Sequence, residues 1–355
     1  MFPPIFIFLI ILSIVVLIHE LGHFVVAKLT GVKVEEFGLG YPPRAIGKKL
    51  GETIYSLNWL PFGGFVRLFG EQEAEAEGSK NPRAFFNKSK KQRIAVILAG
   101  VFMNMVLAVV CFSAIYSING IPEEVNYIVV DGIAPNSPAQ LAGLQTGDKV
   151  LSIDGLAKTT TAEFVDYLKN KAGQEVTLGL QRGEQKIETN LIPRVNPPQG
   201  EGAVGVAVSN YDNVFYPAWQ MPFRGTVTGV EEAYGWTKMM FGGLWQMIYG
   251  LFAGQKPEVR GIVGIYEITA TVAEQGILPV IKFMGILSIN LAVINILPFP
   301  ALDGGRFAFI MLEKVIGRKI KPKIEAYINM AGMAVLITLM VLVTVADILR
   351  VVRGG

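Results

Sequence analysis

Four stretches of the chain carry few charges over a length sufficient to cross a bilayer: Pro4 to about Leu29, Ile94 to Ile118, about Leu278 to Leu297, and about Ile328 to Leu349. A hydrocarbon core of about 30 Å needs roughly 20 helical residues, so each run predicts a membrane-spanning α-helix. The first run begins at the N-terminus, as a secretory signal would. No basic residue precedes it, no small-residue cleavage site follows it, and it is long enough to span, so it reads as a retained helix. Four spans put both termini on one side.

Between the spans the pattern changes. Thr53-Ile54-Tyr55-Ser56-Leu57 alternates with period two, and Gly and Pro punctuate residues 32–66, which predicts short strands just past the first span. From about Val125 to Val195, β-branched runs at Tyr127–Val130, Lys149–Ile153 and Glu175–Leu180, a helical stretch at Ala162–Lys171 and Gly-Asp or Asp-Gly turns predict a small soluble domain. Pro197, Pro198 and Gly200 mark a linker. Phe223 to Phe252 mixes aromatics and Met with Gly, Glu231, Glu232 and Lys238, a composition expected of a helix lying along the membrane surface rather than crossing it.

Charge orients these elements. Lys33, Arg44, Lys48, Lys49, Arg67, Lys80, Arg83, Lys88, Lys90, Lys91 and Arg93 lie between the first two spans, and Arg306, Lys314, Arg318, Lys319, Lys321 and Lys323 between the last two. Short cytoplasmic loops retain basic residues, so both loops are expected inside and residues 119–276 outside. Composition agrees: 51% of the 355 residues are hydrophobic and 17% charged, too apolar for an ordinary soluble protein. The single cysteine, Cys111, excludes an intrachain disulfide and a cysteine-based zinc cluster. With a net charge of +3 and no basic stripe interleaved with aromatics, nucleic acid is not an expected partner.

The candidate chemistry sits in the first span. His19-Glu20-Leu21-Gly22-His23 fits His-Glu-x-x-His, in which two imidazoles four residues apart share one helical face and can hold one zinc. Glu20 then stands beside the metal without ligating it, placed to take a proton from water. A five-residue pattern can arise by chance, but the chain has only two histidines, both are here, and ionisable groups inside an apolar helix are expensive and usually functional. A catalytic zinc keeps three protein ligands. The third is expected at Asp303, which lies at the cytoplasmic end of the third span, the depth of His19 and His23. Taken alone, Asp303 reads equally well as the first residue of an Asp-Gly-Gly turn at a helix end.

The apolar-helix His-Glu-x-x-His together with Asn295-Ile-Leu-Pro298-Phe-Pro300-Ala-Leu-Asp303-Gly304 resembles the site-2 protease family, in particular bacterial regulator-of-sigma-E proteases. Phe37-Gly-Leu-Gly-Tyr-Pro and Thr53 through Val66 resemble that family's membrane-associated β-hairpin, and Gln92 through Asn104 its second span. The resemblance implies zinc held by His19, His23 and Asp303, Glu20 as catalytic base, and Asn295 engaged with the substrate or the developing oxyanion. It also implies hydrolysis of single-pass membrane proteins, after another protease has trimmed them, in a bacterial cytoplasmic membrane. Release of an anti-sigma factor and removal of signal-peptide remnants are examples. Pro135 through Gly155 looks like a PDZ domain of the bacterial, permuted type, expected to gate rather than catalyse because it offers no histidine and no cysteine. Two departures stand out. Ala99-Gly100-Val101 replaces the family's usual Ala-Gly-Pro, and the length allows one extracytoplasmic domain where larger relatives carry two.

The expected fold is therefore an α-helical multi-pass membrane protein of about four spans, with a β-hairpin region and one inserted α/β PDZ-like domain. Its expected parts are helix 1 with the zinc motif (1–29), a cytoplasmic-side β-rich loop (30–90), helix 2 (91–119), the PDZ-like domain (120–200), a linker and surface helix (201–277), helix 3 (278–305), a cytoplasmic loop (306–327) and helix 4 (328–355). A strand edge near the zinc could hold a substrate in extended form, or the hairpin could simply cap the site. A non-enzymatic PDZ-containing adaptor would explain the domain but has no use for Glu20. A transporter would be expected to show an inverted repeat, which the two halves lack.

Overall fold

The computed structural model describes residues 3–71, 81–157, 160–254 and 261–352. They fold into two compact units, one formed by residues 1–116 with 225–355 and the other by residues 117–224.

In the first unit, helix α1 (Pro4–Leu29) ends where Gly31 takes φ +71°, a left-handed conformation that glycine adopts without steric cost. The Val32 N–H then donates to the Ala27 carbonyl (2.8 Å) and the Gly31 N–H to that of Lys28 (3.1 Å), closing a Schellman motif. Val32 and Ala27 are buried together, and this turn aims the chain into strands β1 (Val34–Leu50) and β2 (Thr53–Leu68). Both strands bend. Phe37–Leu39 pairs on one side with Gly64–Val66 and on the other with Tyr55–Leu57, which pairs in turn with Ile46–Lys48. Gly64–Val66 is therefore an edge with a single strand partner among the described residues.

The four expected spans are present as α1, α2 (Lys90–Asn119), and two later helices, Ile277–Ile296 and Pro322–Val352. All four are long and apolar enough to cross a membrane. α2 runs without interruption through Ala99-Gly100-Val101, as the missing proline permits. It crosses α1 with almost no gap: a Cβ on Gly22 would lie 2.3 Å from the Ala99 carbonyl oxygen.

The second unit is a five-stranded antiparallel sheet in the order β6-β5-β4-β3-β7, from β3 (Ile121–Ile133), β4 (Lys149–Ile153), β5 (Val176–Arg182), β6 (Gln185–Leu191) and β7 (Val206–Val214). Helices α3 (Pro138–Leu141) and α4 (Thr161–Asn170) start at Ser137 and Thr160, whose hydroxyls accept the backbone N–H of Gln140 and Glu163. Ile128, Val150, Ile153, Phe164 and Leu178 form its core. Buried Asp148 is held by two 2.7 Å bonds from Arg182, and this guanidinium keeps the carboxyl below the usual carboxylate range. The domain boundary expected at residue 200 lies further along. Residues 201–214, read as linker because Pro197, Pro198 and Gly200 precede them, supply β7, which pairs along most of β3.

Back in the first unit, α5 (Met221–Phe252), the expected surface helix, lies against α2 instead of across its end. Gly229 abuts Ser113, and Thr237 Oγ1 sits 4.0 Å from Met105 Sδ, eight residues on along α5 and eight back along α2, so the two run antiparallel. α6 (Ile262–Glu274) packs on α1 through Tyr266 and Phe8. α7 (Ile277–Ile296) is followed by a further helix. Much of the loop expected at 306–327 is helix α8 (Asp303–Ile316), which buries Ile310 and Glu313 and ends at left-handed Gly317 before α9 (Pro322–Val352). Phe307, Ile310 and Met311 repeat at helical spacing, but the basic residues around them, Arg306, Lys314 and Arg318, obscured that pattern.

Candidate metal centre

The helical spacing of His19 and His23 places both imidazoles on the face of α1 turned toward α2. Their Nε2 atoms are 3.1 Å apart. Gly100 makes room for them, since a Cβ there would lie 2.5 Å from His23 Nε2 and 2.7 Å from His19 Cε1. The His23 Nδ1–H donates to the Val96 carbonyl at 2.8 Å, which leaves Nε2 with its lone pair facing His19.

Asp303 completes the group. Its Oδ2 lies 3.0 Å from His19 Nε2 and 3.2 Å from His23 Nε2. The loop that delivers it depends on close backbone contacts. A Cβ on Gly304 would strike the Leu297 carbonyl oxygen at 2.2 Å, and one on Gly305 the Phe299 carbonyl oxygen at 2.3 Å. Ala301 takes φ +74°, uncommon for a residue with a side chain, and its N–H donates to Asn329 Oδ1 of α9 at 3.1 Å. The Asp-Gly-Gly sequence is thus both a helix start and the carrier of the third donor, and the two readings of Asp303 were never exclusive.

The donor set fits a metal ion. Four ligands at about 2.0–2.1 Å in a tetrahedron are about 3.3 Å from one another, and these three atoms are separated by 3.0–3.2 Å. Among the described residues, His19, His23 and Asp303 are the one such group of metal-ligating side chains.

A cavity of about 380 Å³ opens beside the three atoms, lined by Glu20, Asn295, Tyr41, the β2 edge at Gly64–Val66, Glu71 and Arg306 among others. The Asn295 amide comes within 3.3 Å of His19 Nε2. Arg306 pairs with Glu71, tying α8 to the turn that follows β2. Every residue expected in the site from sequence is therefore brought to one place. Those not singled out are Gly100, Asn104, Glu71 and Arg306. Gly100 was visible only as part of a motif, and the Arg306–Glu71 pair bridges 235 positions, beyond any local pattern.

Comparison with known proteins places this arrangement. Peptidase family M50 matches residues 7–339, and the chain belongs to that family, the site-2 proteases; it is a membrane-bound peptidase. A Clostridium perfringens protein classed among zinc metalloproteases is 39% identical over 337 residues, 95% of this chain and 96% of its own length. The zinc metalloprotease RasP of Geobacillus kaustophilus is 31% identical and covers 96% of both chains. The regulator of sigma-W protease RasP of Bacillus subtilis is 27% identical and covers 97% of both. Among solved structures, the PDZ domain of an SdrC-like protein from Listeria monocytogenes covers 23% of this chain and 87% of that domain, at 24% identity and a TM-score of 0.22.

Proposed function

We propose that the chain is an intramembrane zinc metalloprotease in which His19, His23 and Asp303 hold the ion. The observation that carries this is the convergence of three lone-pair donors at 3.0–3.2 Å beside Glu20 and a cavity, with both histidines in a helix long and apolar enough to span a bilayer. Bound there, zinc supplies a Lewis acid that acidifies water and polarises the scissile carbonyl.

The chain's own residues do the rest. Glu20 takes the proton from the attacking water and passes it to the leaving amine. The Asn295 amide donates to the carbonyl oxygen as negative charge develops there. The edge at Gly64–Val66, which has a single strand partner among the described residues, adds the substrate as a strand, because a helical peptide bond is shielded and must be drawn out before attack.

The substrates we propose are single-pass membrane proteins, including anti-sigma factors or signal-peptide remnants, cut in a bacterial cytoplasmic membrane that the chain crosses several times. The name of the Bacillus subtilis relative, regulator of sigma-W protease, supports that class. Residues 117–224 are read as a PDZ-like domain on the extracytoplasmic side that gates access.

Incubating the purified protein in detergent with membrane-span substrates, with and without a zinc chelator, tests the reading. Cleavage is expected to stop on chelation and return with added zinc. Glu20→Gln is expected to keep zinc and lose cleavage by at least about 100-fold. Full cleavage by that variant would sink the assignment.

A further inference from the structure

Both imidazoles of the metal centre are oriented by α2, by different means. His23 donates from Nδ1 to a backbone carbonyl. His19 also presents Nε2 to Asp303, so its Nδ1 carries the hydrogen and needs an acceptor. The atom 3.3 Å from that Nδ1 is Nδ2 of Asn104, a fully buried side chain. In that setting donor faces donor, and Asn104 Oδ1 is buried without a partner among the described residues. Exchanging the two ends of the amide resolves both defects at once, since Oδ1 then accepts from His19 Nδ1–H. Asn104 is fixed in place from the other side, where its backbone carbonyl accepts the Ser288 hydroxyl of α7 at 2.8 Å.

We propose that Asn104 is a positioning residue of the metal centre: its Oδ1 accepts the His19 Nδ1 hydrogen, sets the tautomer that frees Nε2, and holds the ring toward Asp303. The inference rests on the reading of His19 as a zinc ligand. Outer partners of this kind orient metal-bound imidazoles and raise their basicity. A purely structural role, as packing between α2 and α7, would depend on the residue's volume and its contact with Ser288 rather than on an acceptor facing His19.

The test is zinc affinity of the full-length protein in lipid nanodiscs, measured by competition with a chromophoric chelator. Asn104→Leu keeps the volume and removes the acceptor, Asn104→Asp keeps the acceptor, and Ser288→Ala removes the α7 contact while leaving the amide. We expect Asn104→Leu to bind zinc 10–100-fold more weakly, and Asn104→Asp and Ser288→Ala to stay within about threefold of the unsubstituted protein. Should Asn104→Leu not fold, Asn104→Ser, too short to reach His19, is expected to show the same loss. Undiminished affinity in the leucine or serine variant would overturn the proposal. So would equal weakening in all variants, which marks a packing defect. Failure of the unsubstituted protein to bind stoichiometric zinc would instead overturn the reading of the ligands.

Discussion

At the scale of single residues, the site depends as much on missing side chains as on present ones. Gly100 faces both imidazoles so closely that a methyl group would occupy the space between them. Retreat of α2 is opposed from its far side by α7, whose Ser288 hydroxyl donates to the Asn104 carbonyl at 2.8 Å. Gly100→Ala is therefore expected to push the rings apart and lower zinc affinity by at least about tenfold, while the helix itself, favoured by Ala over Gly, stays intact. Metal analysis alongside circular dichroism checks this; full zinc occupancy in the variant would show that the rings have room to move. His19, Glu20 and His23 are legible in the sequence because ionisable groups are conspicuous in an apolar helix, Asp303 by its place at the end of a span, and Asn295 only through the family resemblance. Asn104 is not, since a lone amide in a span has no spacing rule to give it away.

At the scale of elements, the position of Asp303 depends on what grips the far end of α8. Glu313 and Arg93 form an ion pair at 2.8 Å with side chains 1% and 3% exposed. The Lys90 ammonium donates to the Glu313 carbonyl, and the Ile320 N–H to Glu313 Oε1. The Arg93 guanidinium also lies over the Phe86 ring at 5.3 Å. This cluster pins α8 to the start of α2, the helix that orients both histidines. Removing one partner of a buried pair leaves an uncompensated charge, at a cost of roughly 3–5 kcal/mol. Glu313→Ala is expected to lower the unfolding temperature markedly and to weaken zinc retention, whereas replacing both partners by leucine and methionine restores most of the stability. A thermal-shift series on the single and double variants decides it; equal melting of Glu313→Ala and the parent would remove the pair from the argument. From sequence, Lys90 and Arg93 read only as positive-inside charges and Glu313 carries no signal, because pairing across 220 positions leaves no local trace. The strands and spans, by contrast, follow from period and length, while β7 is hidden because Pro197, Pro198 and Gly200 read as the end of a domain although the chain only turns within it.

For the whole molecule, the contacts among helices fix their relative directions. His19 meets Asn104 and His23 meets Val96, so α2 runs antiparallel to α1. Ile11 and Val15 share a buried cluster with Phe283, and His19 lies beside Asn295, so α7 runs parallel to α1. With all three crossing the bilayer, residues 119 and 277 lie on the same side as the N-terminus, and any descent between them must be followed by a return. α5 follows α2 in the direction such a descent requires. Its 32 residues extend about 48 Å, and by Thr237 it has reached Met105, the neighbour of Asn104 at the level of the metal centre. A helix flat on the surface would cross the end of α2 rather than follow it down. We therefore predict that α5 enters the bilayer and that the chain returns before Gly276. Single cysteines at Glu184, Gln246 and Arg318, all exposed in the structure, in a Cys111→Ala background, separate the possibilities in intact cells. An impermeant thiol reagent is expected to label Glu184→Cys and to leave Gln246→Cys and Arg318→Cys unlabelled until the membrane is opened. Labelling of Gln246→Cys from outside would return α5 to the surface, and labelling of Arg318→Cys would invert the topology on which the placement of the catalytic residues depends.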